Sequence, residues 1–347
     1  MKIFILMFHY SDFMNINKFF KENGYVVVTG ILSDSEINAT ISEICNHKAL
    51  LGDYDFDIKD QSTWDKPYIG ERGFVDINQG HSQGHIYSEL EQFWKNRQNE
   101  HIIETFKHIL ECDDILLDAC RYNVMRPTKV NPKWKTKDKW LHWDKNPWKN
   151  PQHTTIQGLL TLTDHNEKSG GFCCIPKFHQ HLQQWANENE EYKEINNNST
   201  NYVVEFPDNS LYEIKQIYAP KGSLIIWDSG LPHCNYPNDG YEFRIAQYIS
   251  FQRKHSATTS LIEKLRTNYI EAFVMGEQFF KLLTPIGRKI MNFEEFQQKY
   301  PITDKDIEAF HLYIKGNQLE TQKKFNESIQ YYSRAEKLSD LVAIIYL

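Results

Sequence analysis

The sequence predicts a mainly β fold with flanking helices, followed by a helical C-terminal part. Runs of β-branched and aromatic residues bounded by turn residues predict strands at 25–29, 115–125, 223–227 and 243–251. Aromatic residues make up 14% of the 347 residues, a content that favours strands. From about residue 256 onward, apolar residues recur at helical spacing instead. With 347 residues, the chain is long enough for one large domain with additions, or for two domains.

The first elements can be placed from local signals. Residues 1–9 carry a short apolar run that resembles a signal peptide but lacks a small-residue cleavage site, so we expect an edge strand or a short ordered tail. Apolar residues at helical spacing predict a helix over 16–23, which Gly24 can end. Ser33 and Glu36 match a capping box and predict the start of the next helix.

The stretch from 52 to 84 is rich in Asp, Gly and Gln and shows no period, which predicts a long loop. Long loops in compact domains are often functional lids. His81 and His85 could bind a metal ion from one face of a helix. Gly80 and Gly84 oppose a helix there, so we expect both to be ordinary loop histidines.

A helix pair is expected over 88–110, before the strand 115–125, in which Arg121, Asn123 and Met125 share one face. Five lysines then crowd a short connection, namely Lys129, Lys133, Lys135, Lys137 and Lys139. Two interpretations stay open for these lysines: a solvated loop, or a clamp at a pocket mouth for an anionic substrate.

Charge and cysteine content narrow the class of protein. The net charge of -7 gives no overall attraction for nucleic acids or anionic membranes, and no apolar run is long enough to span a bilayer. The six cysteines contain no C-x-x-C pair, and the adjacent Cys173 and Cys174 suit neither a disulfide framework nor a zinc site. We therefore expect buried free thiols in a cytoplasmic protein.

The candidate metal ligands are two histidines and one aspartate. His142 and Asp144 are two positions apart, and such residues point to the same face of an extended backbone. A Gly-Leu-Pro turn delivers His233 much further along the chain. Two imidazoles and one carboxylate form the triad of non-haem Fe(II) sites, which leaves positions open for substrate and O2. On its own, the His-x-Asp triplet is a weak signal, for which a satisfied surface pair is the simpler interpretation.

Arg244 is the candidate partner for a second anionic group. We expect the strands 223–227 and 243–251 to form an antiparallel hairpin that brings His233 and Arg244 side by side. A 2-oxo acid that binds iron through its 1-carboxylate and keto oxygen needs a fixed cation near its far carboxylate. A guanidinium is a planar, permanently charged and bidentate partner for such a group.

With these four residues in this order and spacing, the sequence resembles the phytanoyl-CoA dioxygenase family of Fe(II)/2-oxoglutarate oxygenases. Ectoine hydroxylases are also similar at these positions. The opening at 23–30, the turn at 170–176 and the lead-in at 222–228 support the resemblance. It covers roughly residues 15–255 and implies a double-stranded β-helix (jelly roll, cupin-like) plus C-terminal helices.

The resemblance implies Fe(2+), 2-oxoglutarate and O2 as cofactors. It carries the iron ligands over to His142, Asp144 and His233, and the partner of the 2-oxoglutarate carboxylate over to Arg244. Further cofactor contacts are expected from Asn235 at the far carboxylate, Asn123 at the metal end and Gln157 in the pocket lining. Related halogenases replace the carboxylate ligand with a small residue, so the presence of Asp144 favours hydroxylation.

The C-terminal part is expected to be helical throughout. Helices over 256–300 would brace a dioxygenase domain of residues 1–300, and residues 301–347 would form a separate helical segment. The spacing in this segment resembles one tetratricopeptide-like helix pair, through Gly316, Leu319, Phe325, Ser328, Tyr332 and Ala335. A single repeat cannot bury its own face, so it would pack on the catalytic domain, on a second chain or on a protein partner, or it would be the start of a truncated array. An amphipathic hairpin without a partner role is the alternative.

The expected function is that of a dioxygenase that hydroxylates a C–H bond of an organic substrate and releases succinate and CO2. The substrate would be a small molecule or of lipid or acyl type, with no nucleic acid and no membrane span involved. The alternative is an inactive jelly-roll scaffold that binds a protein partner through the C-terminal repeat. Oxidation of a nucleobase is a third hypothesis, but the sequence predicts no basic surface for nucleic acid beyond the five lysines.

Overall fold

The computed structural model describes most of the chain. The described residues are 6–46, 57–65, 74–76, 90–149, 154–195, 202–203, 212–275, 277–340 and 342–343. The chain divides into two compact units, the first made of residues 1–80 and 89–254 and the second of residues 81–88 and 255–347.

The first unit contains all the strands that the structure describes and six helices of the described residues. The strands are β1 (Met7–His9), β2 (Tyr25–Thr29), β3 (Phe74–Asp76), β4 (Ile115–Met125), β5 (His142–Trp143), β6 (Ile156–Thr161), β7 (Gly171–Cys174), β8 (Tyr202–Val203), β9 (Lys215–Gln216), β10 (Leu224–Asp228), β11 (His233–Tyr236) and β12 (Arg244–Arg253). The helices are α1 (Phe13–Asn23), α2 (Asp34–Cys45), α3 (Glu91–Arg97), α4 (Glu100–Leu110), α5 (Leu182–Glu188) and α6 (Glu191–Ile195).

The strands form two sheets. The larger sheet has the order β1-β2-β10-β6-β12-β4-β3, and its strands are antiparallel except for β1, which runs parallel to β2. The smaller sheet has the order β8-β5-β11-β7-β9 and is antiparallel in every described pairing. Mixed sheets with flanking helices are thus the observed architecture, which confirms the predicted fold class at that level.

One buried cluster joins the two sheets. It combines side chains of the larger sheet with Phe172 and Cys174 from β7 of the smaller sheet. The members from the larger sheet are Tyr25, Val27, Leu159, Ile225, Trp227, Ala246 and Tyr248. Because these side chains share one cluster, the two sheets pack face to face around a common interior.

The outer faces of the sheets are covered by helices. On the larger sheet, Phe106 of α4 packs on Phe251, with ring centroids 4.9 Å apart. On the smaller sheet, Cys234 and Tyr236 join a second buried cluster with Trp185 of α5. Side chains alternate along a strand, so the two neighbours His233 and Asn235 on β11 face the interior between the sheets.

Several elements match the predictions closely. The strands β2 and β4 have the predicted bounds, β1 is an edge strand, and the Ser33–Glu36 capping box is present at the start of α2. Helix α1 ends at Gly24, whose φ of 76° is left-handed. A side chain at Gly24 would also place its Cβ within 2.4 Å of the His179 ring, so this position needs glycine for two reasons.

The predicted hairpin of strands 223–227 and 243–251 is wrong. Strands β10 and β12 both pair with β6, one on each side, and they do not pair with each other. The residues between them cross to the smaller sheet, where β11 lies between β5 and β7. The chain therefore alternates between sheets at this point, which a hairpin reading of neighbouring strands cannot represent.

The predicted long loop is only partly described. His81, His85 and the glycines beside them lie outside the described residues. The described stretches hold a 3-10 turn at Gln61–Thr63 and the edge strand β3, which pairs with β4. The five lysines after β4 are exposed, and Lys135 lies 3.3 Å from a carboxylate oxygen of Asp239.

The second unit is helical in its described residues. Its helices are α7 (Thr259–Met275), α8 (Glu277–Leu282), α9 (Pro285–Ile290), α10 (Phe293–Lys299), α11 (Asp304–Thr321) and α12 (Phe325–Leu338). Tyr269 of α7 packs against Phe293 and Phe296 of α10 at ring distances of 5.4 and 5.8 Å. The last two helices lie where a helix pair was predicted, and their likeness to a tetratricopeptide repeat stays a prediction.

The predicted domain division at residue 300 also stays a prediction, because compactness alone does not define where a functional domain ends.

Among the described residues, each helix is too short or too polar to cross a bilayer.

We expect Gly316→Ala to destabilise the second unit. A glycine-to-alanine change inside a helix normally stabilises it by about 1 kcal/mol. At Gly316, however, the new Cβ would lie 2.4 Å from the Tyr332 ring, which is held by hydrogen bonds of its hydroxyl to Asn317 and Glu320. The clash should reverse the sign and lower the free energy of unfolding by about 1–3 kcal/mol.

Denaturant unfolding of the full chain measures this effect. The control is Lys315→Ala, an exposed neighbour on the same helix, which should change stability by less than about 0.5 kcal/mol. A Gly316→Ala protein more stable than the wild type would contradict the packing described for Tyr332.

Candidate metal centre and cosubstrate site

The three predicted metal ligands come together between the two sheets. His142 on β5 stands directly opposite His233 on β11, and residues opposite each other in a sheet point to the same face. The Nε2 atom of His142 is 3.8 Å from Oδ1 of Asp144, and the Nε2 atom of His233 is 3.5 Å from Oδ2. One donor atom from each residue lies within 4.8 Å of the other two.

The two imidazole rings are held in place by their neighbours. Nδ1 of His233 donates a hydrogen bond of 2.8 Å to the carbonyl oxygen of Leu231, which leaves the Nε2 lone pair free to bind a metal ion. The His142 ring stacks on Trp140 with an interplanar angle of 4° and a centroid distance of 4.8 Å. Trp140 in turn donates to the carbonyl oxygen of Asn235 at 3.1 Å.

Gln157 contacts the carboxylate ligand. Its Nε2 donates a hydrogen bond of 2.7 Å to Oδ2 of Asp144. The sequence predicted a pocket-lining role for Gln157. The structure gives this residue a more definite contact, because the amide fixes the orientation of the carboxylate.

Protonation states in the site suit a divalent cation. Burial lowers the pKa of His142 to about 4, with the neighbouring His233 acting in the same direction, so this imidazole is neutral at pH 7. Burial raises the pKa of Asp144, but its interactions with the His233 and His142 imidazoles and the hydrogen bond from Gln157 outweigh burial, and the pKa lies below its usual value. Neutral imidazole and ionised carboxylate are the forms that bind metal ions. The donor set therefore fits iron(II).

Arg244 lies fully buried on β12, in the larger sheet. Its Nε donates a hydrogen bond of 3.0 Å to Nε2 of His165, and its Nη1 donates to Oδ1 of Asn123. Among the described residues, its Nη2 has no hydrogen-bond partner and no carboxylate pairs with the guanidinium. Burial lowers the pKa of Arg244, but an arginine stays charged in proteins. A buried cation without an anion is costly, so this position favours an anionic ligand.

Asn123 lies beside the guanidinium of Arg244. The sequence predicted that Asn123 shares one face of β4 with Arg121 and Met125. Its expected contact with the metal end of the cosubstrate stays a prediction, while the structure shows its Oδ1 accepting a hydrogen bond from Arg244. The reason is the register of β4 with β12, which sets Asn123 opposite Ala246 and therefore close to Arg244.

Tyr248 is a site residue that the sequence reading missed. Its hydroxyl accepts a hydrogen bond of 3.2 Å from Nδ2 of Asn235, and it also lies beside the guanidinium of Arg244. The guanidinium of Arg121 stacks over the Tyr248 ring at 4.4 Å. Alternation along β12 places Tyr248 on the same face as Arg244, and this signal was available in the sequence.

The two halves of the site meet across the interior and not along a hairpin. The ring of Trp227 lies 5.4 Å from the ring of His233 and 6.5 Å from the ring of Tyr248. The proposed metal ligands, which lie on or directly after strands of the smaller sheet, thus face the same interior as Arg244 on the larger sheet, and buried aromatic side chains lie between them.

Comparison with known proteins identifies the class. The family model described as phytanoyl-CoA dioxygenase (PhyH) matches residues 20–246, and the chain belongs to this family. It is a 2-oxoglutarate-dependent iron dioxygenase of small-molecule substrates, with iron, 2-oxoglutarate and O2 as its cofactors. The resemblance drawn from the sequence is thereby confirmed.

Individual relatives were also found. A Dictyostelium discoideum protein that bears the phytanoyl-CoA dioxygenase name is 28% identical over 301 residues, which are 77% of this chain and 83% of the relative. The non-heme alpha ketoglutarate dependent epimerase SnoN from nogalamycin biosynthesis is similar with a TM-score of 0.46 and 12% identity, over 70% of this chain and 83% of that one. Its complex with Fe3+, alpha ketoglutarate and nogalamycin RO gives a TM-score of 0.43 and 11% identity, over 70% and 84% of the two chains.

We expect Gln157→Leu to weaken metal binding about tenfold or more, because removing a hydrogen-bond partner of a metal ligand typically costs this much affinity. Titration of the full chain with Mn2+, followed by calorimetry, measures the change. Gln183→Leu, on the exposed surface of α5, is the matched control and should bind Mn2+ like the wild type. Equal affinities of wild type and Gln157→Leu would show that Asp144 does not depend on this amide.

Proposed function

We propose that His142, Asp144 and His233 bind Fe(II), and that Arg244 binds the far carboxylate of 2-oxoglutarate. The protein would then hydroxylate a C–H bond of a small organic substrate: substrate, 2-oxoglutarate and O2 give the hydroxylated product, succinate and CO2. The observation that carries the proposal is the meeting of three donor atoms within 4.8 Å of one another, in an interior that also holds a buried guanidinium with no anionic partner among the described residues.

The residues of this chain would position and protect the reacting groups. When bound, iron and 2-oxoglutarate supply the oxidising chemistry. The hydrogen bond from His233 to Leu231 keeps the Nε2 lone pair directed at the ion, and Gln157 holds the Asp144 carboxylate. Arg244 offers its free Nη2 edge to the far carboxylate and so fixes the cosubstrate at the end remote from the metal.

Buried aromatic rings would keep water away from the metal centre. The His233 ring packs against Trp227 and Phe172, at centroid distances of 5.4 and 5.8 Å, and Trp140 covers the His142 ring. A dry site strengthens every electrostatic contact within it and protects reactive species from side reactions.

We further infer that the two facing sheets form a double-stranded β-helix, since the chain passes from β10 to β11 and then to β12 by changing sheets each time. We also propose a lipid or acyl-type substrate and a cytoplasmic location. The C-terminal helices would form a homodimer or bind a protein partner. The inactive scaffold is the weaker alternative, because a scaffold has no need of converging histidine and aspartate side chains or of a buried cation that no described carboxylate neutralises.

We expect His142→Ala and Arg244→Ala each to lower iron-dependent succinate formation about a hundredfold or more, because each removes a charged or metal-binding contact made in the reacting complex. Succinate release from 2-oxoglutarate by the full chain, with and without added Fe(II), is the measurement. The control is His181→Ala, an exposed histidine, which should keep wild-type turnover.

The two variants should differ in metal binding. Only His142→Ala removes a metal ligand, so Arg244→Ala should bind Mn2+ like the wild type while losing affinity for 2-oxoglutarate. Wild-type turnover in either variant would contradict the assignment of the site.

A further inference from the structure

A buried histidine outside the metal triad contacts the cosubstrate-binding arginine. His165 is 2% exposed and follows β6 in the chain. Two hydrogen bonds to Ala219 hold its backbone. The His165 N–H donates to the Ala219 carbonyl oxygen at 2.8 Å, and the His165 carbonyl oxygen accepts from the Ala219 N–H at 2.9 Å. Gly171 leaves room for the ring, since a Cβ there would lie 3.0 Å from Nδ1 of His165, and the φ of 137° at Gly171 also favours glycine.

The hydrogen bond from Arg244 defines the protonation state of the His165 ring. Arginine has only donors, so the Nε2 atom of His165 that receives the bond from Arg244 must be unprotonated, and the proton of the ring must be on Nδ1. Burial and the charge of Arg244 both lower the pKa of His165 well below its usual value, in agreement with a neutral ring. His165 is thus a neutral acceptor for a cation.

Because His165 is neutral, it leaves the positive charge of Arg244 uncompensated. A carboxylate in the place of His165 would orient Arg244 but would also neutralise it. The other described acceptors beside the guanidinium are the amide oxygen of Asn123 and the hydroxyl of Tyr248, so no carboxylate is among them. Two edges of the guanidinium are therefore fixed by neutral groups, and the full positive charge is available at the remaining Nη2 edge.

On the basis of the proposed function, we propose that His165 is a positioning residue for Arg244. It holds the guanidinium in the orientation that presents the Nη2 edge to the far carboxylate of 2-oxoglutarate, and it does so without competing for the charge. His165 touches neither the metal nor the cosubstrate in this account.

Three substitutions at one position separate orientation, charge and packing. His165→Gln places an amide oxygen near the site of Nε2 and keeps a neutral acceptor. His165→Glu has nearly the same shape but carries a negative charge that would pair with Arg244. His165→Leu has a similar volume and offers no acceptor. The comparison of Gln with Glu is the matched pair.

Binding is measured by calorimetry on the Mn2+-loaded full chain, with 2-oxoglutarate and with pyruvate. Pyruvate is a 2-oxo acid that lacks the far carboxylate, so it does not reach Arg244. We expect His165→Leu and His165→Glu to raise the Kd for 2-oxoglutarate about tenfold or more, the size expected for a charge-assisted hydrogen bond. His165→Gln should stay within about threefold of the wild type, and all four proteins should bind pyruvate and Mn2+ alike.

The outcomes distinguish this inference from the proposed function. Wild-type affinity for 2-oxoglutarate in His165→Glu, or equal weakening of 2-oxoglutarate and pyruvate in the variants, would overturn the positioning role while leaving the dioxygenase site intact. Absence of metal-dependent 2-oxoglutarate binding in the wild type would instead overturn the proposed function, and this inference with it.

Discussion

The pairing of β5 with β11 is the constraint on which the metal centre depends. It sets His142 directly opposite His233, on the face that also carries Asp144. A shift of one residue in this register would turn every side chain of β5 to the other face of the sheet. The register is held by Leu141 and Trp143, which flank His142 and are buried in the apolar cluster on the outer face. Hydrophobic burial on one side of the smaller sheet thereby determines which polar groups face the other side.

The interior between the sheets places a second charge at a fixed separation from the metal ligands. Arg244 belongs to the larger sheet, so its distance from the triad is set by the packing of one sheet on the other, through Trp227 and Tyr248. The guanidinium is oriented by the neutral acceptors His165 and Asn123 before any ligand arrives. Such preorganisation lowers the cost of ordering the site when the cosubstrate binds. The buried cation also makes the empty site less favourable, and an anionic ligand relieves that cost.

The sequence predicted the features that depend on neighbouring residues. The predictions failed where pairing between strands that are distant in the sequence determines the structure. The bounds of β2 and the capping box at Ser33 follow from local signals, and both were predicted correctly. The hairpin of β10 and β12 was wrong, because both strands pair with β6, which lies far away in the sequence. Alternation grouped Asn123 with Arg121 and Met125 on one face of β4, but its contact with Arg244 depends on the register with β12. For His165 no sequence signal existed, since its role arises only where the chain after β6 passes beside Arg244.

The central claim is that one ion and one dicarboxylate bind across the interior between the two sheets. The most direct measurement is a crystal structure of the full chain grown without oxygen with Mn2+ and 2-oxoglutarate. We expect the ion on Nε2 of His142, a carboxylate oxygen of Asp144 and Nε2 of His233, and the far carboxylate of 2-oxoglutarate on Nη2 of Arg244. An ion bound elsewhere, or a cosubstrate whose far carboxylate lies away from Arg244, would contradict the account.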